Sequence, residues 1–402
     1  MPQRVIAMDK PLAAALEAVK KLETMGHRAA VVGGAVRDLL LCHDIRDADI
    51  TTSASLASVI EIWPESKLVG RPPDVSAILT HGKSRIDLSS YHGKSLEEDL
   101  GRRDLTINAM AMSSDGSIID PWGGTRDLAS GILRFTGNPR KRLEEDPLRC
   151  VRLARFASSL PWFEIDPASA IECKQSAPQV RNVHLQRTGR EILLSLEGNP
   201  ALFVGSLESL GLLEAVIPFW DGLPEPEKII TIRRTRIASE MSSDKGIRAF
   251  ALLASAGDKT REICTSWCWP SRFVKDTENL AKYRNITFGQ LDSHIFTVLF
   301  REMGPGWIDR LFLAGLIDSI SMDDRMDMTM QWSDNRRKTA IWSARLKKNF
   351  DIVSGDDIIM VAGKGPGPLI GKILSSIRCH IAEGAVRNKK EALLLAKKYS
   401  EE

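Results

Sequence analysis

Residues 29–52 read AAVVGGAVRDLLLCHDIRDADITT, and the fold is decided there. Ala29-Ala30-Val31-Val32 is a short β-like run that stops at Gly33-Gly34, and Val36 to Leu41 begins a helical pattern. A strand that ends in two glycines before a helix lets backbone N–H groups approach a phosphate closely, at the positive end of the helix. Arg37, on the first turn, can grip a phosphate oxygen through two donors. The plainer reading of two glycines is a tight turn. The acids that follow favour the phosphate reading. Asp47 and Asp49 alternate on a strand predicted over Asp47–Thr51, so both carboxylates share one face while Ala48 and Ile50 point into a core. Two adjacent carboxylates repel unless a cation lies between them, and hard oxygen ligands suit Mg²⁺.

Working outward, Pro11–Leu22 carries Leu12, Leu16, Val19 and Leu22 at helical spacing. Ala77–Thr80 and Arg85–Ser89 read as strands, and Leu105–Met112 and Ser117–Asp120 as further short elements. Asp87 lies between Ile86 and Leu88, which point away from it. If its strand neighbours that of Asp49, Asp87 faces the same site; otherwise it is a surface acid. Strands mixed with helices predict an α/β head with a small mixed sheet up to about residue 140. From Asp146 onward the pattern turns helical, over Leu148–Ser159, Gln186–Leu196, Pro200–Leu210, Gly246–Ser255, Ser293–Met303, Trp307–Ile317 and Ile373–Lys398. The fold class is therefore α+β, a mixed-sheet head followed by an elongated helical part.

Two further constellations carry chemistry. In GRRDLTINAMA, Arg103, Asp104 and Asn108 supply a cation, an acid and an amide, a set suited to triphosphate and ribose; Asp104 also reads as a helix N-cap, with Ile107 and Met110 packing beneath. In RLEEDPLRCVRLARFAS, Asp146-Pro147 is a good helix start, and Asp146 and Arg149 are helix-surface neighbours. As a plain salt bridge this pair contributes a few tenths of a kcal/mol. As a reading head it is more specific. Cytosine and adenine each present an amino donor beside a ring acceptor, which complements a carboxylate next to a guanidinium; guanine and uracil present the opposite polarity. Arg152 and Arg155 extend the basic set, one of them as a partner for a neighbouring acid.

Composition narrows the alternatives. With 402 residues, 43% hydrophobic and 27% charged, the chain is ordinary for a globular protein of more than one domain. The opening MPQRVIAMDKPLAAALEAVKK lacks the long apolar core of a signal peptide, and no stretch reaches about 18 uncharged apolar residues, so neither export nor a membrane span is expected. Six cysteines, none in a CxxC pair, read as reduced thiols in the cytoplasm. Cys264 and Cys268 are expected on one helix face, and Trp267 and Trp269 in core packing.

In this order, the motifs resemble the class II tRNA nucleotidyltransferase and bacterial poly(A) polymerase family. GGAVRD with DAD is similar to its catalytic motif, RRDLTINAMA to its second, IIDPWGGTRDL to its third, and EDPLRCVR, preceded by ILRFTGNPRKRL, to its nucleotide-recognition motif. Arg187 and Glu191 in QRTGREILLSL are similar to its fifth, which supports the recognition helix. The tail, SGDDIIMVAGKGPGPLIGKIL with GAVRNKKEALLLAKK, is similar to members that bind tRNA. The resemblance implies a head over residues 1–140, a neck over 141–200, a body over 201–330 and a tail over 331–402. It implies two Mg²⁺ ions on Asp47 and Asp49, Asp87 orienting the primer's 3′ hydroxyl, a triphosphate cradled by Gly33, Gly34 and Arg37, and base selection by Asp146 and Arg149. The partners it implies are the tRNA acceptor arm, CTP and, where the terminal A is also added, ATP, with no membrane. The basic extension often carried by poly(A) polymerases is not seen, and the body shows no HD-type metal pair, which leans away from a poly(A) polymerase and from members with a phosphohydrolase domain. CCA-adding members carry a flexible loop before the RRD motif with an acidic-basic signature ending in Pro. Here the link is only SSYHGKSLEEDLGRRD, as in the CC-adding subgroup, and CC-only and full CCA addition both remain open. A poly(A) polymerase and a catalytically silent tRNA-binding protein are the alternative readings.

Overall fold

The computed structural model describes residues 10–71, 74–81, 84–283, 292–304, 306–322 and 328–401. The first nine residues, part of the stretch read as lacking a signal peptide, lie outside it. The chain divides into two compact units, 1–218 and 219–402.

The first unit begins with α1 (Lys10–Thr24), β1 (Ala29–Val32), α2 (Gly34–Leu40) and β2 (Ala48–Thr52). There follow α3 (Leu56–Ile62), β3 (Lys67–Arg71), β4 (Asp74–His81), β5 (Ser84–Ser90) and α4 (Leu96–Gly101). A single 3₁₀ turn (Thr106–Asn108) leads to β6 (Ala111–Met112), β7 (Ile118–Ile119) and α5 (Gly124–Ser130). The strands form one sheet in the order β3-β4-β5-β2-β1-β6-β7, with β2 and β5 parallel and the other pairs antiparallel. All four residues of β1 are buried, as a central strand requires. The stripe Leu12, Leu16, Val19 and Leu22 of α1 is buried and packs across β1, β2 and β5.

Expected and observed strands agree closely in this head, since β1, β2, β4 and β5 lie where the alternation places them. β3 and the helices α3 to α5 are short, five to seven residues each, and were not read from the sequence. The RRD segment is not an N-capped α-helix. It makes only a 3₁₀ turn, because it is strapped from behind: Thr106 N–H bonds Arg134 C=O at 2.9 Å and Thr136 N–H bonds Asp104 C=O at 3.0 Å. Leu133 and Phe135, in the stretch preceding the recognition motif, are fully buried.

The third motif braces the same turn. Asp120 accepts from Gly124 N–H at 2.7 Å and from Thr125 N–H at 2.8 Å, so α5 starts against it. Asp127, one turn on, accepts from Thr106 Oγ1 at 2.8 Å and Arg134 Nε at 3.0 Å. A Cβ on Gly124 would lie 2.2 Å from Thr106 O and 2.9 Å from Thr106 C, both backbone atoms, so only glycine lets α5 come this close.

The unit continues as helices, with one short parallel pair, β8 (Ile132–Leu133) and β9 (Glu164–Ile165). These helices are α6 (Pro139–Glu145), α7 (Leu148–Ser159), α8 (Pro167–Val180), α9 (Leu185–Ser195), α10 (Pro200–Ser209) and α11 (Leu213–Val216). The second unit is helical throughout its described residues: α12 (Glu225–Met241), α13 (Lys245–Leu253), α14 (Thr260–Ser266), α15 (Ser271–Tyr283), α16 (Ser293–Met303), α17 (Trp307–Ser321), α18 (Met328–Asn349), α19 (Gly355–Ala362), α20 (Pro368–Glu383) and α21 (Lys389–Glu401). Its core gathers Phe250, Phe296, Trp307 and Trp342, and a buried Arg234–Asp318 pair at 2.6 Å ties α12 to α17.

Two expectations for this unit need correction. The helix predicted over Ile373–Lys398 is two helices, because Gly384 takes a left-handed φ of 87° and caps α20. Cys264 and Cys268 do not share a helix face: α14 ends first, and Cys268 sits exposed at φ 55° beyond it. Trp267 and Trp269 are core residues as expected, with ring centroids 5.0 Å apart.

Because the Gly124 contact is with backbone, Gly124→Ala is expected to destabilise the first unit by about 2–3 kcal/mol. Thermal unfolding followed by circular dichroism measures this, and an unchanged midpoint would show that α5 is free to move aside.

Candidate active site

The acids come first. β2 begins at Ala48, so Asp47 just precedes the strand and Asp49 lies within it. Ala48 and Ile50 are buried on the opposite face, as the alternation demands. β2 and β5 are neighbours, and Asp49 pairs in register with Asp87. Asp49 and Asp87 therefore share one sheet face, and Asp47, just ahead of the strand, is close enough to act on Asp49 by charge. Asp49 is accessible along a cleft, yet protein crowding around its carboxyl pushes the pKa up; Arg103 opposes that, and Asp87 and Asp47 add to it by like charge.

Gly33 closes β1 with φ 75°, where a side chain is strained, and a Cβ there would stand 2.7 Å from the Arg103 guanidinium. Arg103 thus lies over the glycine turn beside Asp49. The Gly33 N–H donates to Met110 C=O at 3.2 Å, so this amide holds the turn and is not offered to a ligand.

A chain of charge-assisted hydrogen bonds links the remaining candidates. Arg37 Nη1 donates to Asn108 Oδ1 at 2.7 Å, and Asn108 Nδ2 donates to Asp104 Oδ1 at 3.0 Å. The amide orientation follows from its neighbours, with oxygen toward the cation and nitrogen toward the acid. Arg152 places Nε and Nη2 on Asp104 Oδ2, at 2.8 and 2.6 Å. Glu191 then accepts from Arg152 at 3.4 Å and from Arg155 Nε at 2.5 Å. Arg152 and Arg155 thus both pair with acids, where the sequence suggested only one. Burial by itself would raise the Asp104 carboxyl, but Arg152, Asn108 and the Leu105 N–H more than offset it and hold the group well below the usual carboxylate range. A folded pKa below the unfolded one means the stabilisation is fully present above about pH 5 and is lost progressively as the pH falls below that.

Asp146 and Arg149 line the cleft but spend their bonds elsewhere. Arg187 clasps both oxygens of Asp146, at 3.2 and 2.7 Å. Arg149 pairs with Glu145 at 2.9 Å and donates to the carbonyls of Arg142 and Arg102. The expected acid–guanidinium pair is thus two neighbouring pairs, since Glu145, one turn back, reaches Arg149 first. Asp146 also accepts from Leu148 N–H at 3.2 Å, although the residue that caps α7 is Pro147 and Asp146 itself ends α6.

The resulting cleft holds about 450 Å³. It is lined by every sequence-predicted site residue except Asp47 and Asp87, and it adds Arg187 and Phe156. Phe156, which the sequence analysis did not single out, is buried on α7. Its ring carries Arg155 at 4.2 Å, with Arg37 at 5.4 Å and Arg152 at 6.0 Å from the centroid. Six guanidinium groups around one opening suit a polyphosphate. Among the described residues no group of three or more His, Cys, Asp or Glu side chains could hold a metal by itself. A two-carboxylate site fits Mg²⁺, which keeps several waters and shares substrate phosphates.

Residues 29–88 and 79–134 match the poly A polymerase head domain, and residues 241–396 match the putative second domain of tRNA nucleotidyltransferases. The CC-adding tRNA nucleotidyltransferase of Shouchella clausii is 42% identical over 391 residues, covering 94% of this chain and 95% of the relative. The CCA-adding enzyme of Geobacillus stearothermophilus is 30% identical over 413 residues, covering 96% of each. The chain belongs to the tRNA nucleotidyltransferase family. The crystal structure of the Bacillus stearothermophilus CCA-adding enzyme in complex with CTP superposes with a TM-score of 0.73 at 28% identity, over 97% of this chain and 98% of that one. The α+β architecture of the family is therefore that of this enzyme, and the family generally uses a divalent metal.

If Asn108 is the polarity switch between Arg37 and Asp104, Asn108→Asp sets one carboxylate against another. The expected loss is about 2–4 kcal/mol at pH 7, measured by urea unfolding. Stability equal to the wild type would remove the network from this account.

Proposed function

We propose that this enzyme adds CMP residues to the 3′ end of tRNA without a template, ending at CC. The observation that carries the proposal is the joining, in one cleft, of Asp49, an arginine-lined phosphate site and a base-reading carboxylate and guanidinium, with Asp47 and Asp87 beside Asp49. In this reading, Arg37, Arg103 and Arg152 bind the triphosphate against the glycine turn. Asp87 orients the primer's 3′ hydroxyl, whose oxygen attacks the α-phosphorus as the bond to pyrophosphate breaks and the proton passes to solvent water. Asp47 and Asp49 would hold Mg²⁺, which lowers the hydroxyl pKa and neutralises charge on the leaving pyrophosphate. Arg187 positions the Asp146 carboxylate, and Glu145 positions Arg149, so that cytosine or adenine meets fixed polarity. The division into head, neck, body and tail, with tRNA along the last two by shape and backbone contact, is part of the same reading, as is a cytoplasmic location suited to six free thiols.

Two observations favour CC over CCA addition. Only five residues, Tyr91–Ser95, connect β5 to α4, where CCA-adding members carry a flexible loop. The identity is also 42% to a CC-adding relative, against 30% to a CCA-adding one over a similar span.

The test is sequencing of products from tRNA lacking its terminus, incubated with CTP plus ATP. Products ending in CC are expected; CCA products would refute the subgroup assignment, and ATP-only tailing that ignores CTP would indicate a poly(A) polymerase.

Asp49→Ala should lower transfer of every nucleotide by at least about 10³-fold with the fold intact, which also separates an active enzyme from a silent tRNA-binding protein. Asp146→Ala should keep transfer measurable while CTP loses its advantage over UTP in single-nucleotide assays; undiminished preference would take base reading away from Asp146.

A further inference from the structure

Arg85 has no part in the roles assigned so far, yet it stands among the acids. The parallel register pairs Ala48 with Ile86 and Asp49 with Asp87, so one residue earlier Asp47 is level with Arg85. Asp49, Arg85 and Asp87 thus share one sheet face, and Asp47, just ahead of β2, completes a square of three anionic groups and one cationic, near enough to act on Asp49 and Arg85 by charge. From the other side, β4 places Thr80 opposite Arg85 and Ile78 opposite Asp87, neither of them charged. Arg103 approaches Asp49 from the glycine turn. Within this group Arg85 makes a two-point contact with Asp87, Nε to Oδ1 at 2.8 Å and Nη2 to Oδ2 at 3.0 Å. Both carboxylate oxygens are therefore engaged. The Arg85 side chain is 57% exposed, so the clasp is a surface contact that can open without disturbing the core.

We propose that Arg85 is a positioning residue that withholds Asp87 from the divalent cation and reserves it for the primer hydroxyl. An acidic triad with no such partner would close around a cation with all three carboxylates. A guanidinium at the fourth corner confines the metal to Asp47 and Asp49 and keeps Asp87 on its own strand, two residues away from its clasp. Arginine suits this role better than lysine, because its planar fork fixes both oxygens while a lysine holds one. The inference rests on the metal-site reading of Asp47 and Asp49.

The experiment is titration of Mn²⁺ into the full-length protein, without nucleotide or tRNA, at low ionic strength, with free Mn²⁺ read by electron paramagnetic resonance. Arg85→Gln is expected to bind Mn²⁺ about threefold to fivefold tighter than the wild type, the scale of an exposed charge contact. In the Asp87→Asn background the same substitution is expected to change affinity by less than about twofold. Arg85→Lys should fall between wild type and Arg85→Gln. Equal gains in both backgrounds would mean that Arg85 acts only as a distant charge, and no gain in either would mean that it does nothing to the metal; each overturns the proposal. Binding that is absent in the wild type, or insensitive to Asp49→Asn, removes the metal-site reading itself, and this inference with it. Thermal unfolding of each variant, expected to match the wild type for so exposed a residue, separates these outcomes from misfolding.

Discussion

The buried carboxylate of Asp104 is the interaction on which the rest of the site depends. It is a charge taken almost out of water, and such a group is tolerated only when its lone pairs are filled by donors. The donors come from three stretches distant in sequence: its own turn through Leu105 and Asn108, the recognition helix α7 through Arg152, and, beyond Asn108, the helix α2 through Arg37. The sheet-borne acids and the helix-borne reading residues therefore hold a fixed relation within the first unit. The third motif and the ILRFTG stretch serve the same end one layer back, since they strap and brace the turn that carries Asp104.

The same network explains how six arginines can surround one opening without a ligand. Each guanidinium for which a bond is described is matched by an acid, a carbonyl or an amide oxygen: Arg37 by Asp38 and Asn108, Arg149 by Glu145 and two carbonyls, Arg152 by Asp104, Arg155 by Glu191, Arg187 by Asp146. Phe156 supplies a common face for three of them. Donors held in this way lose little freedom when a polyphosphate arrives, which is where preorganised arginine has its advantage.

Much of this was legible because local rules and the fold agree. The Ala29–Val32 run ending at Gly33 becomes β1, and the alternation Asp47-Ala48-Asp49-Ile50 becomes β2 from Ala48 onward, with Asp47 just ahead of it. Pairing across long sequence distances was not legible. Nothing in the spacing of Asp146 and Arg149 says that Arg187 and Glu145 intervene, because a helical i,i+3 relation gives proximity and not partnership. Phe156 was hidden for a related reason: an aromatic on the apolar face of a helix reads as core until its neighbours are known to be cations. The helix ends of the second unit turned on single residues, Gly384 and Cys268 with positive φ, and a cysteine in that conformation carries no signal in the sequence.

The Asp146–Arg187 contact bears on how selection without a template can work. A free carboxylate would rotate and accept from any donor, so it would distinguish bases poorly. Clasped at both oxygens by Arg187, and accepting as well from the Leu148 N–H that starts α7, it is fixed in plane and direction. Asp146 lines the cleft with the start of the helix as its frame. Arg149 is fixed in the same way by two backbone carbonyls and Glu145. A base of the wrong polarity then meets groups that cannot reorient, and the mismatch leaves a donor facing a donor. In the proposed base-reading role, rigidity imposed by second partners, more than the identity of the two residues, is what would let a carboxylate and a guanidinium act as a template.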